Sequence, residues 1–232
     1  MTKRFLNSLK AAKGNRIIAE VKTYSPSYGD LLRGRNPIEI ALAYERAGAA
    51  ALSYITEREN YRGNMLILRE LCRSIRLPVL RKDFIHSKFD VEKTAEADAS
   101  AILLITQFLK SKTLELADVA LEHDIEPVVE VHSERDLTYI GGYRGIIGIN
   151  NKDISKLETD EGGVKLTARL APRIRELHGR DIFIISESGI SNLNDLSIAL
   201  KHADAALIGT AFMLSDNPEE LVRLFVQAKF GD

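Results

Sequence analysis

At 232 residues the chain is long enough for one barrel-sized domain and short for two independent ones. Hydrophobic residues make up 45% of it, which supports a sizeable core and argues against disorder. Lysine plus arginine total 32 against 33 aspartate plus glutamate, so there is no general electrostatic case for nucleic acid, and any anion must be held by a local group of donors.

The first residues, Met1 to Gly14, are basic but lack the long apolar centre of a signal peptide. Phe5, Leu6 and Leu9 are spaced as one face of a short amphipathic helix laid against the domain, an N-terminal extension over residues 1–16. A β-rich run follows at Ile17–Val21. Similar runs recur at Ala51–Ile55, Val79–Arg81, Ala101–Ile105, Pro127–Val131, Gly145–Ile149, Ile182–Ile185 and Ala205–Ile208. The intervening segments have helical periodicity and recognisable ends. Asn36-Pro37 and Asn217-Pro218 each set an N-cap residue before a first-turn proline, Gly48 is placed to end the first of these helices, and Ser111 and Ser133 are further N-cap candidates. Pro172 predicts a kink, or two short helices, before the seventh strand.

The lone cysteine, Cys72, excludes an internal disulfide and lies in the helical run from Met65, which predicts a buried, inert thiol. The five histidines are scattered and form no ligand spacing, so no metal is expected. No apolar stretch approaches the roughly 20 residues that cross a bilayer. The expectation is a cytoplasmic protein with neither membrane nor nucleic-acid partners; its oligomeric state is not readable.

Near-continuous apolar strands separated by helices indicate a parallel sheet buried on both faces. Ala47-Gly48-Ala49, Ala97-Asp98-Ala99 and Ala203-Asp204-Ala205 form a faint repeat, each leading from a helix into a strand. An open doubly wound sheet is the alternative, but no Gly-x-Gly-x-x-Gly follows the first strand. Eight similar units predict an α/β fold, a single (β/α)₈ TIM barrel spanning residues 1–232.

In such barrels the C-terminal strand ends carry the chemistry. The first strand contributes Glu20 and Lys22, which are two apart and so face the same interior, followed by the turn Ser25-Pro26-Ser27-Tyr28-Gly29. An interior ion pair is one reading of Glu20 and Lys22, and one wall of an active site is the other. Further strand ends read Thr56-Glu57, Arg81-Lys82-Asp83-Phe84, Glu130-Val131-His132 and Asn150-Asn151-Lys152-Asp153. Two lysines and two glutamates at the ends of three strands are costly to bury unless a ligand or reaction uses them. Ser186-Glu187-Ser188-Gly189-Ile190 and Ile208-Gly209-Thr210-Ala211 end the seventh and eighth strands. Their glycines and hydroxyls, with a short helix over Thr210–Leu214, predict a phosphate seat.

Together these residues resemble indole-3-glycerol phosphate synthase, the ring-closing lyase of tryptophan biosynthesis. The resemblance runs through all but the first few residues, in family order. It comprises Ile18-Ala19-Glu20-Val21-Lys22 with Ser25-Pro26-Ser27-x-Gly29, Thr56-Glu57, Leu80-Arg81-Lys82-Asp83-Phe84-Ile85, Val129-Glu130-Val131-His132, Gly148-Ile149-Asn150-Asn151, Glu187-Ser188-Gly189-Ile190 and Gly209-Thr210-Ala211. The Glu-x-Lys-x-x-Ser-Pro-Ser and Lys-Asp-Phe pieces are specific, whereas the Ser-Gly and Gly-Thr pieces occur in many phosphate-binding barrels.

The resemblance implies a small phosphosugar substrate, 1-(2-carboxyphenylamino)-1-deoxyribulose 5-phosphate, converted to indole-3-glycerol phosphate, carbon dioxide and water without a cofactor. It implies Lys82 as the acid at the sugar ketone, Lys22 beside the substrate carboxylate, Glu130 in proton transfer, and Glu20 and Asn150 orienting these groups. It further implies Tyr61 and Phe84 flanking the ring, Ser25 and Lys152 as substrate contacts, and the phosphate on Ser188, Gly189, Gly209 and Thr210.

Three departures from the family pattern stand out. Lys152 occupies a position where the family usually has arginine, keeping the charge without the bidentate fork. Tyr61 stands where phenylalanine is expected. Only sixteen residues precede Ile17, fewer than the family generally carries, so closure of the site is expected to rely on the Ser25–Arg35 loop. Two other functions compete: a phosphosugar isomerase, which wants a cysteine–aspartate or similar pair at strand ends, and a non-catalytic phosphosugar-binding barrel, which needs no Lys82 with Glu130.

Overall fold

The computed structural model describes residues 3–153, 155 and 163–231. Among these residues eight parallel strands close into a barrel. They are β1 (Ile17–Val21), β2 (Ala51–Ile55), β3 (Val79–Lys82), β4 (Ala101–Ile105), β5 (Glu126–Val131), β6 (Ile146–Asn150), β7 (Phe183–Glu187) and β8 (Ala205–Ile208). Successive strands are neighbours, and β8 returns to β1 through Ile17↔Ala206, Ile18↔Leu207 and Ala19↔Ile208. Closure excludes the doubly wound sheet. The strand runs read from the sequence are all present, four with the same ends and four with ends moved by one or two residues; the largest change is at β7, which continues to Glu187.

Every residue of these strands is buried, as a sheet covered on both faces requires. Ile18, Leu80, Leu103, Val128, Ile185 and Leu207 belong to one apolar cluster with Phe5 and Leu9 of the helix Arg4–Ala11. That helix is the amphipathic element expected at the N-terminus, and its two apolar anchors are wholly buried. Glu126, the first residue of β5, accepts hydrogen bonds from the backbone N–H groups of Phe5 and Leu6, so a carboxylate satisfies donors that a helix start leaves open.

Local signals for helix ends hold with one exception. Asn36 accepts from the Ile38 N–H and Asn217 from the Glu220 N–H, each ahead of its proline, while Gly48 follows the helix Pro37–Arg46 at φ 91°. At Ser133 the Asp136 carboxylate reaches back to the serine N–H at 3.0 Å. Ser111, however, lies before the helix Lys112–Glu122 in a helical conformation and its side chain caps nothing. Pro172 sits within one continuous helix, Lys165–His178, rather than between two. Leu170, Ala171 and Ile174 bury both sides of the proline against the core, and this packing outweighs the missing backbone donor.

Cys72 is half-buried rather than buried, at the margin of the helix Met65–Ser74 whose core face is Leu68 and Leu71. Burial, helped by Asp98 and opposed by Arg4, pushes its thiol up to about 12. The thiolate is therefore scarce at neutral pH, and alkylation by iodoacetamide at pH 8 should proceed far more slowly than in the unfolded chain.

Burial raises the Glu126 carboxyl above the ordinary glutamate range, although the Phe5 and Leu6 N–H groups act in the opposite direction. A raised native pKa makes the ionised form the less favoured one in the fold. The contribution of Glu126 is thus complete below the unfolded glutamate range and declines as pH rises through the elevated native value. Denaturant unfolding at a series of pH values should show the advantage of the wild type over Glu126→Ala shrinking in that direction.

Candidate active site

Side chains two apart on a strand share a face, so the apolar interior predicts what stands above it. From Ile18, Leu80, Val128, Ile146, Ile185 and Leu207 the same faces continue to Glu20, Lys82, Glu130, Gly148, Glu187 and Gly209. One step further along their strand lines come Lys22, Phe84, His132 and Asn150. The barrel thus changes, within one layer, from hydrocarbon to ionisable groups.

These groups are buried, and they pair. Glu20 Oε1 lies 3.4 Å from Lys22 Nζ, and Glu20 Oε2 lies 3.9 Å from Lys82 Nζ and accepts the Ser53 hydroxyl at 3.2 Å. Lys82 Nζ is also 3.7 Å from Glu187 Oε2. One ammonium therefore stands between two carboxylates, and one carboxylate between two ammoniums. Across the mouth, Asn150 Nδ2 donates to Glu130 Oε2 at 3.2 Å, and the Lys152 N–H donates to Asn150 Oδ1 at 3.1 Å, which fixes the orientation of the amide.

Two glycines hold the space for this layer. A Cβ on Gly148 would collide with Glu187 Oε1, and one on Gly209 with Glu20 Oε1. The sequence reading missed Glu187 as a member of the site, although its strand position was informative: it lies two residues beyond Ile185, on the interior face.

The end of β3 is braced from outside. Arg81 points away from the barrel axis and donates to Thr56 Oγ1, Asp83 Oδ2, Thr94 Oγ1 and the Asp90 carbonyl, each at 2.8–3.0 Å. Asp83 Oδ1 accepts the Phe84 N–H. The residues on either side of Lys82 are thereby immobilised.

Ile55, Tyr61, Phe84, Leu103 and Ile105 line an apolar pocket with Lys82 at its wall. Glu57 accepts the N–H groups of Asn60 and Tyr61, which turns Tyr61 into the pocket, and the Lys22 ammonium stands 5.8 Å from its ring centre. Phe84 is held edge-on by Phe108, at 5.6 Å and 71°.

A separate cleft of about 580 Å³ includes Glu20, Lys22, Lys152, Ser188, Gly189, Gly209 and Thr210 along its wall. Ser188 and Gly189 both have positive φ, and Thr210 begins the expected short helix Thr210–Leu214 and accepts from Lys22 Nζ at 3.4 Å. Arg35 donates to the carbonyls of Leu31 and Leu32 in its own loop, of Met213 in that helix and of Ser215 just after it. The Ser25–Arg35 loop is therefore fastened beside the cleft.

Most of the sequence-derived residues converge on these surfaces. Glu130 and Asn150, wholly buried and hydrogen-bonded to each other, line neither the apolar pocket nor the cleft, and nor does Ser25, which is buried and whose hydroxyl oxygen accepts the Ser27 N–H. Its short side chain is engaged in shaping the turn.

Buried lysines and glutamates between an apolar pocket and a glycine-rich cleft after β7 and β8 define a phosphosugar barrel equipped for acid–base chemistry. Comparison with known proteins agrees and narrows the class. The model of the family described as indole-3-glycerol phosphate synthase matches residues 1–225, and the chain belongs to that family. The indole-3-glycerol phosphate synthases of Thermococcus kodakarensis and Pyrococcus abyssi are 54% and 55% identical over 223 residues. The first alignment covers 96% of each chain and the second 95%. A protein of Archaeoglobus fulgidus named tryptophan biosynthesis protein TrpCD is 49% identical over 94% of this chain, which corresponds to 39% of that longer protein. Among solved structures, a tryptophan synthase alpha chain from Legionella pneumophila superposes with a TM-score of 0.66 at 13% identity, covering 97% of this chain and 95% of that one, a likeness of fold alone.

If Gly148 and Gly209 keep room for Glu187 and Glu20, a methyl group there should disturb chemistry more than folding. Gly148→Ala should lower kcat by about 100-fold, the scale of a displaced catalytic group. Its folding stability should fall only by the amount typical of an overpacked site, about 1–3 kcal/mol. Parallel turnover and melting measurements check this.

Proposed function

We propose that the chain closes the indole ring of 1-(2-carboxyphenylamino)-1-deoxyribulose 5-phosphate, releasing carbon dioxide and water, with the roles divided as follows. The observation that carries the reading is the Lys82 ammonium between Glu20 and Glu187 at the wall of the ring pocket. A lysine ammonium in that place can both donate a proton and stabilise negative charge that develops on a substrate oxygen.

The ring carbon bearing the carboxylate forms a bond to the ketone carbon, and the ketone oxygen takes its proton from Lys82. The carboxylate then leaves as carbon dioxide, and the electrons of the broken bond restore the aromatic ring. Departure of the new hydroxyl as water requires a proton on that oxygen and removal of one from the carbon beside the nitrogen; Glu130 is the base for the second. Lys22, between Glu20 and the cleft, meets the substrate carboxylate. Tyr61 and Phe84 clasp the ring, Lys152 contacts the sugar, and the backbone around Ser188, Gly189, Gly209 and Thr210 receives the phosphate. Glu20 and Asn150 hold the lysines and Glu130 in register. Barrier lowering comes from a folded substrate held for cyclisation and from charges already in place.

The chain contains no tryptophan, so an indole product is visible by fluorescence over a tyrosine background. Wild-type protein should generate that signal from the carboxyphenylamino sugar, and Lys82→Ala should lose at least about 1,000-fold in kcat, as expected when an acid and its charge go together. Undiminished turnover in that variant would overturn the assignment. Lys152→Arg should keep or improve kcat/KM; a large loss would mean that the loop is built around lysine.

A further inference from the structure

We infer that His132 is a positioning residue that orients the Glu130 carboxylate for proton abstraction. The inference rests on the role of Glu130 as base given above. Glu130 is wholly buried, and His132 follows it by two residues along the line of β5, so both side chains face the same way. His132 Nε2 stands 3.4 Å from Glu130 Oε1, while Asn150 Nδ2 meets Oε2 at 3.2 Å. Glu130 Oε2 is thus held by a hydrogen bond from β6, while Oε1 has the imidazole of the same strand line at ion-pair distance, without a hydrogen bond formed between them.

Each partner is itself anchored. Asn150 is fixed through the Lys152 N–H. The His132 N–H donates to Asp136 Oδ2 at 2.8 Å, and the same oxygen receives the Ser133 N–H at 3.0 Å. The imidazole thus hangs from the capped first turn of the short helix Glu134–Leu137, a rigid support. The terminal torsion of a glutamate is broad and soft. A base acting on a carbon acid needs one oxygen aimed at the C–H bond, and contacts at both oxygens remove that freedom.

The test compares H132L, H132N and H132Q by steady-state kinetics and thermal melting. Glutamine extends far enough to bring an amide N–H near the place of Nε2, whereas asparagine is too short and leucine has no donor. H132L and H132N should lose about 10–100-fold in kcat with KM within about twofold of wild type, and H132Q should regain most of the loss. A side chain that only fills space would give the opposite order, with H132L best tolerated. Equal kcat in H132N and H132Q, or a change confined to KM, overturns the inference, and this comparison stands even if H132L fails to fold. Glu130→Gln separates the two levels: if it retains turnover, the role of Glu130 is wrong, whereas if it abolishes turnover and H132L does not impair it, only the role of His132 is wrong.

Discussion

The structure turns on a short lattice of opposite charges in a place that should repel them. Lys82 is shared by Glu20 and Glu187, and Glu20 is shared by Lys22 and Lys82, all beneath the mouth of the barrel. An isolated charge buried this deeply would neutralise or unfold its surroundings, and even a lone pair gains little over hydrocarbon of the same volume. Alternation of sign around the ring makes the set tolerable. The same alternation gives each charged group an opposite neighbour within 4 Å.

That lattice explains the division of labour along each strand. The inner faces below it are apolar and carry the N-terminal helix, and the outer faces serve the surrounding helices. Arg81 shows how strictly faces are kept: it adjoins Lys82 in sequence, yet it belongs to a brace of threonine, aspartate and carbonyl groups outside the barrel. Two adjacent cations thus stand in unrelated surroundings, one in a brace outside the barrel and one between two carboxylates inside it.

Much of this was legible in the sequence because β-structure writes faces with a period of two. The strand runs, the asparagine–proline helix starts, Gly48, and the clustering of Glu20, Lys22, Lys82, Glu130 and Asn150 at strand ends all follow from local pattern. Glu187 was harder to see because the neighbouring serine and glycine drew the segment toward a phosphate role, and its strand ran longer than the apolar residues alone implied. Ser111 was misread for a different reason: it takes a helical conformation and its side chain caps nothing, which residue type alone does not reveal. Glu20 and Lys22, ambiguous in the sequence between an ion pair and a catalytic wall, are an ion pair by geometry, and in the reading favoured here the pair is part of the wall.

The return of β8 to β1 has a consequence for how activity arises during folding. Only three residue pairs register this seam, and they join positions nearly two hundred apart in the chain. Glu20 and Lys22 lie on one side of it and Gly209 and Thr210 on the other. Loop-closure entropy makes so distant a pairing costly until the intervening strands are in place. An incompletely assembled chain can therefore hold many of its helices and several of its strands while possessing no seat for a substrate. Catalysis in this protein reports on topology: it begins only when the two ends of the sheet have met.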